Sequence, residues 1–332
     1  MRFIIDHAAA YVNYIRFNFR QFITRLLVYI GTAVSTIQIV HSFITLVFGQ
    51  TSLIAIEKIV YDVIYKVVGI QIDNKALYFT ILFLIPISIS IFQSFKFAKR
   101  VIRLGNGHEK EIIIVLGRFV PNVKKAFRKY NAVAVFTTDD SFDIKTDFTA
   151  VKSNPPLFVN KFLNGNVETL RKSAHDSLEK QNIFKQESPR EGVNLNVSHY
   201  GIGKVASCVF DYKKQQRQCL IVSNAVLLDD GGFDTEDRSV VSDAWNYIYN
   251  NRLISDTVIF HVFSGGYASI TQNRQKTCEE IIRGFFHKDT LKVGGVKRLI
   301  ITIPYKFYND RDISIEKLVK LTKSLVVVND LE

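Results

Sequence analysis

The chain has 332 residues and a formal net charge of +12, with 43 Lys and Arg against 31 Asp and Glu. A hydrophobic fraction of 47% is too high for an intrinsically disordered chain, and three cysteines are too few for the disulfide framework of a small secreted protein. The length predicts about two structural units. An excess of basic residues is typical of nucleic-acid binding, unless the charge is concentrated in one segment.

Two apolar segments of the first hundred residues are predicted to span a membrane. Residues 26–49 contain no Asp, Glu, Lys or Arg, and residues 76–95 are also free of charge. Each segment reaches the ~20 residues that a helix needs to cross a hydrocarbon core of about 30 Å. Pro86 is tolerated in such a helix because neighbouring groups satisfy the freed backbone. The alternatives are two buried core helices or a signal peptide, but the first run starts late and has no small-residue cleavage site.

The charges that flank these segments predict their orientation. Basic residues precede the first segment and follow the second, whereas the charges of the connector are balanced. By the positive-inside rule, both termini face the cytoplasm. Residues 1–103 hold 11 of the 43 basic residues and 4 of the 31 acidic ones, a net charge of +7 for this part. Most of the basic surplus therefore predicts membrane orientation, and no nucleic-acid partner is expected.

The connector has a helical periodicity of its own. Apolar residues recur at helical spacing over residues 52–69, which predicts an amphipathic helix in the outer interface of the membrane or a plain extracytoplasmic helix of an oligomer. His41 in the first segment is predicted to be a proton-sensitive pore group or a helix contact.

After residue 103, predicted strands and helices alternate. Strands are predicted at residues 111–116, 132–136, 204–211, 218–222, 258–263 and 299–303. Helices are predicted at residues 121–130 and 237–250, around Cys278 and from an N-cap at Ser314. Residues 180–203 are polar and rich in turn residues, which predicts a long surface loop. The alternation predicts one α/β domain over residues 104–332, with Cys208, Cys219 and Cys278 in its core.

A glycine turn at residues 264–268 is the most informative segment of this domain. Ser264, Gly265, Gly266, Tyr267 and Ala268 lie between a buried strand and a helix. Glycines allow a phosphate to approach the backbone N–H groups, and the helix that follows presents its positive end. The segment therefore predicts a phosphate site, and the alternative is a tight turn without a ligand.

Polar loops follow two further strands that are expected to lie beside this one. Residues 137–143 contain three aspartates, and Ser223-Asn224 follow the strand at 218–222. Ligands of open α/β sheets bind beyond the carboxyl ends of the strands, so the three loops predict a binding crevice. The acids lack the spaced ligand set of a metal site, and no general acid has an arranged partner, so neither a metal nor an enzymatic activity is expected.

The order of EIIIVLG (111–117), AVAVFTTDDSFDIKTD (132–147), CLIVSN (219–224) and VIFHVFSGGYASI (258–270) carries a family resemblance. It is similar to the macro-type domain of the membrane effectors of type II Thoeris anti-phage systems, in which two transmembrane helices precede a macro domain. The family's Phe-Asp-Thr motif is matched to Phe142-Asp143-Ile144. Its phosphate loop is matched to the glycine turn. Macro domains commonly carry Gly-Asp where this sequence has Gly117-Arg118, so Arg118 is expected to meet a phosphate or a carboxylate of a variant ligand.

The resemblance implies a macro-like α/β fold with a mixed sheet behind an N-terminal transmembrane hairpin. It also implies an effector of the bacterial inner (plasma) membrane that is not an enzyme and has no metal or cofactor. A TIR-domain partner makes an ADP-ribose-type nucleotide, similar to histidine-ADP-ribose, and the cytoplasmic domain binds it. Homo-oligomeric assembly of the membrane helices then disrupts the membrane and kills the infected cell. The expected ligand-binding residues are Gly117, Arg118, Phe142, Asp143, Asn224, Ser264, Gly265, Gly266, Tyr267 and Ala268.

Two alternatives remain open from the sequence. The same fold resemblance is compatible with a membrane-anchored ADP-ribosyl hydrolase. A similar two-helix segment is also compatible with a membrane effector gated by a cyclic oligonucleotide.

Overall fold

The computed structural model divides the chain into two compact units, Met1–Phe97 and Ala98–Glu332. It describes residues 2–17, 19–20, 22–24, 26–32, 35, 38–39, 42–43, 45–47, 58, 88, 99–104, 110–144, 154–189, 196–227, 233–234, 240–263, 273–286 and 295–330. The sequence placed the boundary between the units after residue 103. The structure places it earlier, because residues 99–104 form a strand of the second unit.

The first unit is helical wherever it is described. Helix α1 spans Arg2–Phe17, and every described residue between 19 and 47 is also helical. The hydroxyls of Thr24 and Thr32 donate to the carbonyls four residues earlier, each at 2.8 Å. In the described part of the chain, no helix combines the length and the apolar character needed to cross a membrane. Most of the predicted span at 76–95, most of the connector and His41 lie outside the described residues.

The elements of the second unit alternate between strands and helices. In chain order they are β1 (Lys99–Leu104), β2 (Lys110–Leu116), α2 (Phe119–Tyr130), β3 (Val133–Asp139), α3 (Asn154–Phe162), α4 (Val167–Glu179), β4 (Gln186–Pro189), β5 (Asn196–His199), β6 (Val205–Tyr212), β7 (Gln215–Leu227), β8 (Phe233–Asp234), α5 (Val241–Asn250), β9 (Thr257–His261), α6 (Arg274–Phe285), β10 (Arg298–Ile303), α7 (Tyr305–Asn309) and α8 (Ile315–Asp330).

The sheet of this unit is mixed, as expected. Among the described residues it has eight strands in the order β1-β2-β10-β9-β3-β7-β6, with β8 paired to β7. The strands β2, β10, β9, β3 and β7 are mutually parallel, whereas β1 and β6 run antiparallel at the two ends. The central strands are continuous apolar runs because helices cover both of their faces.

Consecutive residues of β9 show how the two faces are covered. Ile259 belongs to a core cluster that includes Phe127 of α2, Phe158 of α3 and Leu170 of α4. Its neighbour Phe260 points to the opposite face, where the ring of Trp245 from α5 stacks on it at 5.1 Å. The sheet is therefore the middle layer of three.

Most predicted elements of this unit are confirmed within a few residues. The six predicted strands correspond to β2, β3, β6, β7, β9 and β10, and the predicted helices to α2, α5, α6 and α8. Ser314 begins α8 as predicted, since the Lys317 N–H donates to its hydroxyl at 3.3 Å. The three cysteines are buried, as predicted.

One predicted loop is wrong in part. Residues 180–203 include the antiparallel pair β4 and β5, in register from Gln186 opposite His199. These strands are polar, so they lack the apolar alternation that reveals a half-buried strand in a sequence. Residues 154–179, to which the sequence analysis assigned no element, contain α3 and α4.

Candidate functional site

The five parallel strands all end at one edge of the sheet, the carboxyl edge. The turn that follows β2, the loop that follows β3, the end of β7 and the residues after β9 all lie there, because parallel strands share one direction. Ligands of open α/β sheets bind at this edge. The described segments that hold predicted site residues therefore lie along one edge of the sheet.

Gly117 and Arg118 form the turn between β2 and α2. Gly117 has a φ of +135°, which favours glycine, and its N–H donates to the Ile303 carbonyl at 2.8 Å. A Cβ on Gly117 would lie 3.4 Å from Nδ2 of Asn122. Arg118 is exposed and is the N-cap residue of α2, whose first turn contains no acidic residue. The positive end of the α2 dipole and the Arg118 residue are thus close together, without a carboxylate in that turn.

Asn224 holds the end of the β9 segment. Its side chain is 7% exposed, and its Nδ2 donates to the Phe263 carbonyl at 3.1 Å. Phe263 is the last described residue before the glycine turn. The predicted phosphate residues Ser264, Gly265, Gly266, Tyr267 and Ala268 lie outside the described residues. Asn224 therefore acts on the predicted site by fixing the residue that leads into it.

The loop after β3 is held by its own polar groups. Asp139 Oδ1 accepts from the backbone N–H of Ser141 at 3.0 Å and also from its hydroxyl. The N–H of Asp143 donates to the same hydroxyl at 3.1 Å. Phe142 and Ile144 have φ values of +58° and +30°, which cost about 1–3 kcal/mol each for side chains of this size. The loop is therefore strained on both sides of Asp143.

Phe142, which the resemblance assigned to the ligand, lies in the core. Its side chain is 0% exposed, and its ring packs edge-on against Tyr200 at 5.7 Å. Contact between this ring and a ligand would require the loop to move. A direct binding role for Phe142 stays a prediction.

The Asp143 carboxylate contacts α4 and the segment after it. Its Oδ1 lies 3.6 Å from Nε2 of His175 and 3.6 Å from Nζ of Lys185. Arg171 donates from Nε and Nη2 to the Asp143 carbonyl at 2.9 and 2.6 Å. His175, followed by Lys185 and Arg171, lowers the pKa of Asp143 against the opposing effect of burial. Asp143 is therefore ionised at neutral pH and is held by three donors.

Tyr200 completes this group of side chains. Its hydroxyl lies 2.6 Å from Nδ1 of His175. Burial raises the pKa of Tyr200, and the charges of Glu179 and Asp143 raise it further, so the hydroxyl is protonated at neutral pH. The other ring nitrogen of His175, Nε2, faces Asp143. His175, Lys185 and Tyr200 were not predicted as site residues, because they are distant from Asp143 in the chain and form no local motif.

Two buried polar side chains lie in register at the ends of β9 and β10. His261 is 5% exposed and Thr302 is 0% exposed. Neither Nδ1 of His261 nor Oγ1 of Thr302 has a hydrogen-bond partner in the described structure. Burial lowers the pKa of His261 to about 4, so the ring is neutral at pH 7. The Phe119 ring of α2 covers it at 5.4 Å.

The acids of the carboxyl edge are tied into the protein. Asp139 bonds within its own loop, and Asp140 is 1% exposed with Oδ2 at 3.5 Å from Nδ1 of His199. The described residues contain no group of three or more His, Cys, Asp and Glu side chains that could hold a metal ion. What the edge offers to a ligand is mainly donors, from Arg118 and the first turn of α2, which suits an anionic group.

No protein-family model matches the chain, and no curated protein is similar to it. Solved structures of a macrodomain from Oceanobacillus iheyensis are similar to it. The structure with MES bound has a TM-score of 0.41 at 7% identity, over 68% of this chain and 99% of that chain. A mutant with ADPR has a TM-score of 0.40 at 11% identity, over 67% and 100%. The form with ADP has a TM-score of 0.38 at 7% identity, over 67% and 98%. At these TM-scores, the likeness assigns neither a family nor a ligand to this chain.

Proposed function

We propose that residues 98–332 are a macro-like sensing domain that binds an ADP-ribose-type nucleotide at the carboxyl edge. The observation that carries this proposal is the arrangement of donors there. Arg118 and the acid-free first turn of α2 lie at the same edge as the end of β9, which Asn224 holds in place. A diphosphate-bearing nucleotide supplies acceptors for such donors, and nearby aspartates are already bound within the protein.

We also propose that residues 1–97 work in a lipid bilayer. Several large apolar side chains of the described helical residues in this unit are more than half exposed. They include Leu27 (62%), Val28 (59%), Ile39 (68%), Phe43 (59%), Leu46 (85%) and Val47 (51%). Side chains of this kind are usually buried in a protein core, and acyl chains would cover them equally well. The absence of Asp, Glu, Lys and Arg from residues 26–49 supports the same proposal.

The role that joins the two units is proposed from the family resemblance. A TIR-domain partner makes the nucleotide during phage infection, the sensing domain binds it, and the membrane helices assemble as a homo-oligomer. The cell envelope then fails and the cell dies before phage are released. For this switch, the nucleotide must bind the assembled state better than the resting state.

Calorimetry of the full chain in detergent tests the binding proposal. ADP-ribose is expected to bind the wild type, and Arg118→Glu is expected to weaken binding by about 10- to 100-fold, since it replaces a charged donor with a like charge. Lys125→Glu is the matched control, because Lys125 is an exposed residue on the same helix, further from its N-terminus. It should leave the Kd within about twofold. Equal Kd values for Arg118→Glu and Lys125→Glu would contradict the proposed position of the site.

The same samples separate the alternatives. Binding of a cyclic oligonucleotide together with no binding of ADP-ribose would replace the proposed ligand class. Release of ADP-ribose from a modified protein at catalytic rates would assign a hydrolase instead of a binding domain.

A further inference from the structure

The strained loop after β3 and the side chains that hold it form an anion site with an internal occupant. Three donors, here named the donor cluster, converge on one residue: Arg171, His175 and Lys185. They are partly exposed, with 28%, 19% and 34% of their side chains accessible to solvent. The residue they meet is Asp143, whose own side chain is 40% exposed.

The contacts of His175 and Lys185 with the Asp143 carboxylate are loose, whereas Arg171 bonds the Asp143 backbone carbonyl. Both carboxylate contacts are 3.6 Å long, beyond the 2.7–2.9 Å or so of a charge-assisted hydrogen bond. The carboxylate is tethered to a loop in which Phe142 and Ile144, on its two sides, hold positive φ angles. A phosphate group has more oxygens and is free of this tether, so it suits the same donors better.

Other charged groups near the cluster leave room for an anion. Glu168 accepts from Nη1 of Arg171, and the Asp143 carbonyl accepts from Nε and Nη2. A phosphate that replaces the carboxylate would therefore meet His175 and Lys185 directly, beside the charge of Arg171. The charge of Glu179 acts on Tyr200 rather than on the carboxylate. The Tyr200 hydroxyl contacts Nδ1 of His175, so Nε2 is the ring nitrogen that faces the Asp143 carboxylate.

We propose that the donor cluster is a binding site for a phosphate group, and that the Asp143 carboxylate is its resting occupant. An incoming phosphate takes the place of the carboxylate and releases the strained loop. The identity of the ligand that carries this phosphate rests on the proposed function. The site itself is defined by the donor cluster alone. Asp143 thus competes with the ligand, whereas the family resemblance makes it a ligand contact.

One substitution distinguishes these two roles, because they predict opposite changes in the affinity for a phosphate group. Asp143→Asn keeps the shape of the side chain and the carbonyl that Arg171 binds, but removes the competing charge. Inorganic pyrophosphate, titrated by calorimetry into the full chain in detergent at low salt, is expected to bind Asp143→Asn at least about tenfold more tightly than the wild type. If the carboxylate occupies the site about nine-tenths of the time, only about one-tenth of the protein is free to bind, and the apparent affinity is about tenfold lower. An unchanged or weaker affinity would overturn the proposal.

Two further variants make the result independent of loop folding. Asp176→Asn is the matched control, because Asp176 is an exposed acid on α4 next to His175, and it should leave the pyrophosphate Kd unchanged. Lys185→Gln in the Asp143→Asn background should remove the gain. In the wild-type background it should weaken pyrophosphate binding by about tenfold, and an unchanged Kd there overturns the site even if Asp143→Asn unfolds. ADP-ribose is titrated in parallel, so its failure to bind the wild type would refute only the proposed function.

Discussion

His261 is the residue whose chemistry is most altered by its position in the fold. Its ring is buried at the end of β9, and burial lowers its pKa from 6.5 to about 4. In the unfolded chain, the imidazole binds a proton near pH 6.5, so a fall in pH favours unfolding. We expect the contribution of His261 to the free energy of unfolding to be constant above about pH 7 and to fall by about 3 kcal/mol between pH 6.5 and pH 4. Urea unfolding over this pH range measures the effect.

The variant His261→Leu isolates this contribution from other titrating groups. Leucine cannot bind a proton, so the difference in unfolding free energy between variant and wild type should change by about 3 kcal/mol over the same range. Asp143 contributes to the pH dependence of the unfolding free energy only at lower pH, because its pKa lies below 3.8 in the folded protein. Its stabilisation is present above pH 3.8 and is lost as the pH falls through the lowered value. Parallel pH profiles for His261→Leu and the wild type would contradict the assignment.

The packing of α5 against α6 depends on one glycine. A Cβ on Gly284 of α6 would lie 2.2 Å from Cδ1 and 2.3 Å from Nε1 of Trp245. The indole cannot move aside easily, since it stacks on Tyr249 at 5.5 Å and on Phe260 at 5.1 Å. We expect Gly284→Ala to destabilise the protein by about 1–3 kcal/mol, although alanine favours a helix by about 1 kcal/mol over glycine. Urea unfolding measures the sum of the two effects.

A neighbouring position supplies the control for this contact. Arg283 is exposed on the same helix, and Arg283→Ala should change the free energy of unfolding by less than about 0.5 kcal/mol. If Gly284→Ala is neutral or stabilising, the two helices do not pack as closely as the structure indicates.

The elements that were predicted correctly share one physical property. β9 and β10 lie in the middle of the sheet, so burial on both faces makes them mainly apolar, and this pattern is visible in the sequence. The strand β1 has the sequence KRVIRL, in which exposed and less exposed side chains alternate but charged and apolar residues do not. Its basic residues were instead assigned to the membrane flank, because an apolar segment precedes them.

The candidate site also has a part that was predicted from the sequence and a part that was not. Arg118 and Asn224 each come shortly after a predicted strand. Their place at the carboxyl edge can therefore be predicted from the alternation of strands and helices. The donor cluster could not be predicted, because His175 lies 32 residues and Lys185 lies 42 residues beyond Asp143 in the chain. Their meeting depends on how α4 packs on the sheet, which residue spacing does not reveal.

At the scale of the whole molecule, the exposed apolar side chains of the first unit lead to a test of the membrane proposal. Ile39 is 68% exposed and lies near the middle of residues 26–49. A lysine at the centre of a spanning helix costs about 2.5–3.5 kcal/mol of insertion free energy, whereas a lysine at a water-exposed position costs less than about 0.5 kcal/mol. Ile39→Lys is therefore expected to reduce the fraction of protein in carbonate-washed membranes, and Phe184→Lys to leave it unchanged. Phe184 is the matched control because it is 62% exposed in the second unit. Equal recovery of both variants would place Ile39 in water and refute the bilayer proposal for residues 26–49.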